Sequence, residues 1–232
     1  MNKIKVLHIL SSKTYNGAEN VVCQINSMLQ GTEDNIEIIY CSLDGPVRSH
    51  IEDNRIRFVP VSKISKKEIA HVIRKVKPDI IHAHDMRAGF VATLACGRTP
   101  LVSHIHNNNF DSRGLSLKSV LYLYAAIKAK HIFWVSKSSF DGYCFHNLLK
   151  NKSGILFNVI DVKALYKKAE LDTKTYNYDA VYLGRLTFQK NPQKLVEVLS
   201  EAAKKTPGFT AAILGEGEDA EEVKRLIKDN SI

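Results

Sequence analysis

Two His-x-His pairs carry most of the obvious chemistry in this 232-residue chain: His82-Ala83-His84, followed by Asp85, and His104-Ile105-His106, followed by Asn107. Each pair ends a short apolar run. On an extended strand, residues two apart share a face, so each pair presents two imidazoles to the same side. Imidazole titrates near neutral pH and serves as hydrogen-bond donor, general base or metal ligand. Two readings follow. Paired imidazoles with a carboxylate at hand suit a Zn or Mn site, although such sites normally bring further acidic ligands and a hydrogen-bonded outer shell, and no further acidic cluster appears. Alternatively, the inner histidine of each pair packs in the core, while the outer one, His84 or His106, faces a ligand cleft.

Three other stretches have residue types suited to anions. Ser11–Asn20 follows the first apolar run, and its Asn16-Gly17-Ala18 opens a helical pattern. Free backbone N–H groups and the positive end of a helix dipole suit a phosphate or carboxylate there, while a plain turn explains the glycine equally well. Further on, Gly184-Arg185 ends a strand-like run and Lys190 precedes a helix start. A guanidinium fork and an ammonium point charge are the pair expected around a diphosphate, and also an ordinary solvated surface. Gly215-Glu216-Gly217 admits close approach of a ligand or marks another strand-to-helix turn.

These residues need a scaffold that gathers strand ends. Short Val/Ile/Phe-rich runs alternate with helix-period segments, the pattern of β-α-β units around a parallel sheet, in which ligands bind beyond the carboxyl ends of the strands. Strands are expected at 4–10, 36–42, 56–61, 79–83, 100–105, 131–135 and 154–157. Ile69, Val72, Ile73 and Val76 form one helical face that Pro78 terminates, and helices are expected at 18–30, 86–96, 116–130 and 138–149. Residues 162–177 lack an apolar period, which places a linker at 166–177 between a domain over 1–165 and a second unit over 178–232. That unit shows strands at 179–184 and 209–214 and helices at 192–205 and 218–229, the first opened by Asn191-Pro192, where proline suits the first turn. Two strands leave sheet edges uncovered, so the second unit reads as part of a larger domain.

Composition narrows the class. With 44% hydrophobic and 25% charged residues the chain is a globular protein. The net charge of +9 is uneven: residues 1–177 carry 25 basic and 15 acidic side chains, and residues 178–232 carry 8 and 9. The basic part is drawn to anionic partners, and no nucleic-acid-binding motif accompanies it. Cys23, Cys41, Cys96 and Cys144 form no Cys-x-x-Cys pair, consistent with a reducing compartment. The basic start of the chain reads as a first strand, not a signal peptide. The longest apolar stretch, Leu121 to Ile127, is far short of the roughly 20 residues that span a bilayer. Arg113, Lys118, Lys128 and Lys130 flank Tyr122 and Tyr124, a pattern that suits an anionic interface; the competing reading makes Leu117, Val120, Leu121 and Tyr124 ordinary core.

In order along the chain, these segments resemble family-4 glycosyltransferases of the GT-B fold, capsule and exopolysaccharide type. Asn16-Gly17-Ala18-Glu19 resembles the family's Gly-Gly-Ala-Glu loop, and Asp79-Ile-Ile-His-Ala-His-Asp85 its Asp-Val-Val-His-x-His segment. Ser103-His-Ile-His-Asn107 is similar to its His-Ser-His-Asn run. Val135-Ser136 and Asn158-Val-Ile-Asp161 match Val-Ser and Asn-Gly-Ile-Asp, with Val159 where the family has glycine, so a different backbone shape is expected there. Gly184-Arg185, Lys190-Asn191-Pro192 and Gly215-Glu216-Gly217 match the opening of the nucleotide-binding domain.

The resemblance implies two Rossmann-like domains, the second only begun here, and retaining, metal-independent transfer of a sugar from a nucleotide-diphosphate donor to a lipid-linked or saccharide acceptor in surface polysaccharide synthesis, with no cofactor. It implies that Arg185 and Lys190 hold the diphosphate and stabilise charge on the leaving group, that His106 contacts the reacting sugar with His84 nearby, and that Gly17 lets the first loop approach the donor phosphates or acceptor. Asn16, Ala18, Ser136, Asn158, Gly184, Gly215 and Gly217 complete the binding set. The family's two glutamates eight positions apart have no counterpart in this chain, so a C-terminally truncated enzyme with little activity alone is expected. The implied location is the cytoplasm, with contact to the inner membrane face. Two other readings are a non-catalytic binding subunit and a metal-dependent hydrolase built on the histidine pairs.

Overall fold

The computed structural model describes residues 3–30, 35–107 and 112–230. The chain divides into two compact units, residues 1–162 and 163–232. In the first, seven strands form one all-parallel sheet in the order β3-β2-β1-β4-β5-β6-β7: β1 (Ile4–Ile9), β2 (Ile36–Leu43), β3 (Arg57–Val61), β4 (Ile80–His84), β5 (Leu101–Ile105), β6 (His131–Trp134) and β7 (Ser153–Ile155). The order reverses between β1 and β4, the place where an open α/β sheet offers a crevice. All seven expected strands form.

Alternation along the strands sorts the side chains onto two faces. Leu7, Ile9, Ile39, Cys41, Ile81, Ala83, Leu101, Ile105, Ile132 and Trp134 belong to one buried cluster. It is covered by α3 (Lys66–Val76), α4 (Asp85–Ala95) and α5 (Leu117–Lys128). On the other face, Ile38, Tyr40 and Phe58 pack with residues of α1 (Gly17–Gln30) and α2 (Val47–Asp53). In register with this second set, His8 pairs His82 and His84 pairs His104. The polar face at the sheet centre therefore follows from histidines at even positions, opposite the apolar Leu7, Ile9, Ile81, Ala83, Leu101 and Ile105 at odd ones.

Several elements differ from expectation. Helix α2 was not anticipated; Gly45-Pro46 starts it, Val47 and Ile51 are its buried i, i+4 pair, and Arg48 bonds Glu52 at 2.9 Å. The helix expected at 138–149 is instead two short ones, α6 (Lys137–Asp141) and α7 (His146–Leu149). The chain breaks there to bury Tyr143, whose hydroxyl donates to the Ser119 carbonyl at 2.7 Å. The core reading of α5 is also corrected. Its buried residues are Ser119, Tyr122, Ala125 and Ala126, while Leu117, Val120, Leu121, Tyr124 and Ile127 are exposed. Small residues on the inner face let α5 lie close to α4, and the bulky apolar residues are left outside. Lys152 closes the end of this helix, donating to the carbonyls of Ala126, Ile127 and Ala129 at 2.6–3.0 Å.

The second unit begins at Lys163, just before the linker expected at 166–177. Helix α8 (Val162–Ala169) occupies its start, and residues 170–178 carry no regular element. The apolar residues Val162, Leu165, Tyr166 and Ala169 follow an i, i+3, i+4, i+7 spacing that explains the helix. Two parallel strands follow, β8 (Ala180–Leu183) and β9 (Ala211–Leu214), with α9 (Pro192–Lys205) and α10 (Ala220–Asp229). Leu186, Val196 and Val223 form their small core, and Val181, Leu183 and Leu214 remain exposed.

Candidate functional site

The first unit gathers a ladder of five imidazoles on one face of β1, β4 and β5. His8 and His84 are linked through Nδ1 and Nε2 at 2.9 Å, and His84 Nδ1 meets His106 Nε2 at 2.8 Å. His82 stacks on His84 at 4.4 Å between ring centroids, and His104 lies 4.1 Å from His106. Burial holds all five neutral: it drives His8 down to about 3 and His104 to about 2, and pushes His82 and His84 well below 6.5. Burial lowers His106 as well, with Asp85 acting in the opposite direction.

Within this ladder the expected division into inner and outer histidines holds for one pair only. His104 is fully buried and His106 is half-buried, but His84 is the more buried member of its pair, 1% exposed against 8% for His82. His84 has both ring nitrogens engaged, by His8 and His106. It is placed to orient His106, not to face a ligand through a free ring. His8 was not singled out from sequence, although a histidine between Leu7 and Ile9 in an apolar strand is a readable signal. Asp85 accepts the His106 backbone N–H at 3.1 Å and holds a left-handed φ of 64° at the start of α4, a conformation that costs a non-glycine residue energy and clusters at functional positions.

The loop after β1 lies at the neighbouring strand end. The Asn16 backbone N–H donates to Glu19 Oε2 at 3.0 Å, and its side-chain amide donates to Thr14 Oγ1 at 2.9 Å. Asn16 thus shapes the loop from within. Glu19 is 3% exposed, and burial, reinforced by the Asp85 charge, raises its carboxyl above the usual range. Gly17 begins α1, and a Cβ added there meets nothing within 4 Å. Nothing in the chain requires a glycine at that point, and the space before it is open. Ala18 packs against the α1–α2 cluster. Ser136 caps α6, accepting from Ser139 N–H at 3.1 Å, so its hydroxyl has a structural task. Asn158 is exposed between β7 and α8.

In the second unit the glycines have a different explanation. A Cβ on Gly215 would stand 1.8 Å from the Gly184 carbonyl oxygen, and one on Gly217 2.0 Å from that of Leu186. The two loops are tied by backbone bonds from Leu186 N–H to Glu216 O at 2.9 Å and Asp219 N–H to Leu186 O at 3.0 Å. Gly215 and Gly217 are therefore needed for loop packing. A Cβ on Gly184 would press on the Tyr182 side chain, 2.9 Å from its hydroxyl. Arg185 and Lys190 project into solvent on either side of buried Leu186, and no ion pair engages them among the described residues. Asn191, at φ 48°, caps α9 by accepting from Lys194 N–H at 3.3 Å. The turn that carries Lys190 is thus fixed by its neighbours, leaving both cations available.

Comparison with known proteins agrees with this layout. Residues 15–163 match the model of Glycosyltransferase Family 4. A UDP-Gal:alpha-D-GlcNAc-diphosphoundecaprenol alpha-1,3-galactosyltransferase from Escherichia coli is 25% identical over 257 residues, covering 96% of the chain and 65% of that protein. Among solved structures, Anabaena HepE in complex with UDP-glucose superposes with a TM-score of 0.76 at 19% identity, over 98% of this chain and 66% of its own. A UDP-GlcNAc 2-epimerase from Neisseria meningitidis reaches 0.61 at 15% identity, over 97% and 69%, so the fold alone does not fix the reaction. The chain spans about two thirds of the length of these relatives. No helix among the described residues is long and apolar enough to cross a membrane. With the family model matched from the first loop to the end of the seven-stranded unit, the chain belongs to glycosyltransferase family 4.

Proposed function

We propose that this chain serves sugar transfer from a nucleoside-diphosphate sugar, with the second unit holding the donor and the first presenting the acceptor side. The observation that carries the reading is the exposed, unpaired pair Arg185 and Lys190 on a turn fixed by Asn191 and by the Gly215 and Gly217 contacts. Cations held without a protein counter-charge suit a diphosphate, whose charge grows as the glycosidic bond to it breaks. The similarity to a UDP-galactose-dependent enzyme supports UDP as the nucleotide, retention of the anomeric configuration and a diphospholipid-linked saccharide as acceptor. His106, half-buried at the end of the imidazole ladder and oriented by His84, is the residue we assign to the reacting sugar, and the open space at Gly17 is assigned to the acceptor.

The exposed apolar stripe on α5, with Lys128 and Lys130 at its end, suits the surface of an anionic membrane, where a lipid-linked acceptor is found. The exposed Val181, Leu183 and Leu214 belong to a sheet that wider pairing would cover, so turnover by these 232 residues alone should be slow. The test is incubation with a panel of UDP-sugars and a polyprenyl-diphosphate saccharide, read by mass spectrometry, alongside binding of each UDP-sugar. Saturable donor binding with slow gain of one sugar by the acceptor fits the proposal. Absence of donor binding contradicts it, and rapid turnover contradicts the need for more polypeptide.

A further inference from the structure

The imidazole ladder holds more nitrogen than the chain uses. Nε2 of His8, Nε2 of His82, both ring nitrogens of His104 and Nδ1 of His106 are buried without a hydrogen-bond partner. An unmet buried polar group costs about 1–3 kcal/mol, and His104, fully buried with two, is the most exceptional. Among the described residues, two sets of three histidines bring one ring nitrogen each within 4.8 Å of one another: His8, His82 and His84, and His84, His104 and His106. Three imidazoles at that separation are a familiar ligand set for a d-block dication, with a fourth position left open.

We propose that His84, His104 and His106 bind a transition-metal dication of the zinc type, a site that ties β4 to β5 and fixes the ring of His106. Three observations favour this set over the other. His106 is only half-buried and gives an ion a way in, whereas His8, His82 and His84 are all buried. Asp85 reaches the His106 backbone and places a carboxylate beside the set, offsetting part of the ion's charge. His104 has no other partner to lose. The one bond surrendered is that between His84 Nδ1 and His106 Nε2, now 2.8 Å apart. Around a tetrahedral ion with bonds of about 2.0–2.1 Å these nitrogens open to about 3.3 Å, and the His104 nitrogen, within 4.8 Å of both, closes to the same spacing. The ion is assigned no step in sugar transfer.

The experiment uses the untagged chain, stripped with chelator and titrated with Zn2+. One ion per chain is expected, with X-ray absorption showing three imidazole nitrogens at about 2.0–2.1 Å. The 15N resonances of His84, His104 and His106 should shift while those of His50, His71, His131 and His146 stay in place. His106→Gln, at a half-exposed position, should keep its fold by circular dichroism and weaken Zn2+ binding by at least about 10-fold. Absence of saturable binding, shifts at His8 and His82 without His104 and His106, or binding unchanged in His106→Gln would each overturn the proposal. The NMR and absorption readouts need no variant, so a misfolded mutant would not protect the idea.

Discussion

The two units place their chemistry in opposite environments. In the first, seven strands with helices on both faces sink the histidines into the interior, so their protonation and orientation are set by packing. In the second, two strands support cations that lie in solvent, and only backbone turns hold them. A buried group is strongly perturbed and hard to reach, while an exposed one is open to solvent. The first unit thus fixes the orientation of its polar side chains, while the second leaves Arg185 and Lys190 open to solvent.

Acid should break this contrast most strongly. In the metal-free protein, His8 and His104 are neutral when folded, with pKa values near 3 and 2 against 6.5 unfolded. Between those values the unfolded chain binds more protons, so stability is full above about pH 6.5 and falls as pH drops. At pH 5, about 1.5 units below the unfolded value, each contributes a loss of about 2 kcal/mol. His82 and His84 shift the same way. All nine histidines precede residue 147, and the single tryptophan, Trp134, is buried in the same unit. Its fluorescence should therefore report unfolding of the first unit between pH 6.5 and 4, while a signal confined to lower pH would mean that the ladder is not neutral and buried.

Next in size is the Gly215→Ala change, whose Cβ would meet the Gly184 carbonyl oxygen at 1.8 Å. It should cost about 2–3 kcal/mol in the second unit alone, seen as a lowered denaturant midpoint by hydrogen exchange in β8 and β9, with β1 to β7 unaffected. Tyr122→Phe removes the 2.9 Å bond to Ser103 beneath the histidine face and should cost about 1 kcal/mol in the first unit. Smallest in stability is Gly17→Val, for which the open space promises a change within about 0.5 kcal/mol. It should still weaken binding of the saccharide acceptor to the first unit; equal affinity would show that the loop does not approach the ligand.

How much of this was legible in the sequence depended on whether a signal was local. The strands were readable because apolar β-branched runs are local, and so were the Asn191-Pro192 start of α9 and the His-x-His faces. The burial order of His82 and His84 was not, because it depends on His8 lying across from His82 in register. The exposed side of α5 stays open between an interface and a core at the level of sequence for a related reason. Its bulky residues have helical period, but Ala125 and Ala126 were needed inside to meet α4, and only the packed partner reveals that. The break between α6 and α7 likewise follows from Tyr143 reaching Ser119, 24 residues away. Gly215 and Gly217 read equally as ligand-facing positions and as a plain turn, because sequence cannot tell close approach of a ligand from close approach of the chain's own backbone.

The central claim is that the exposed cations of the second unit hold the diphosphate of the donor. Calorimetric titration of the chain and of Arg185→Ala with UDP and with UMP tests it directly. Arg185 is exposed and makes no ion pair among the described residues, so its loss should leave the melting temperature unchanged. The wild-type chain should bind UDP more tightly than UMP, by about 1.5–3 kcal/mol for a charge-assisted contact to the second phosphate, and Arg185→Ala should remove most of that difference. No preference for UDP over UMP, or a preference that survives in Arg185→Ala, would contradict it.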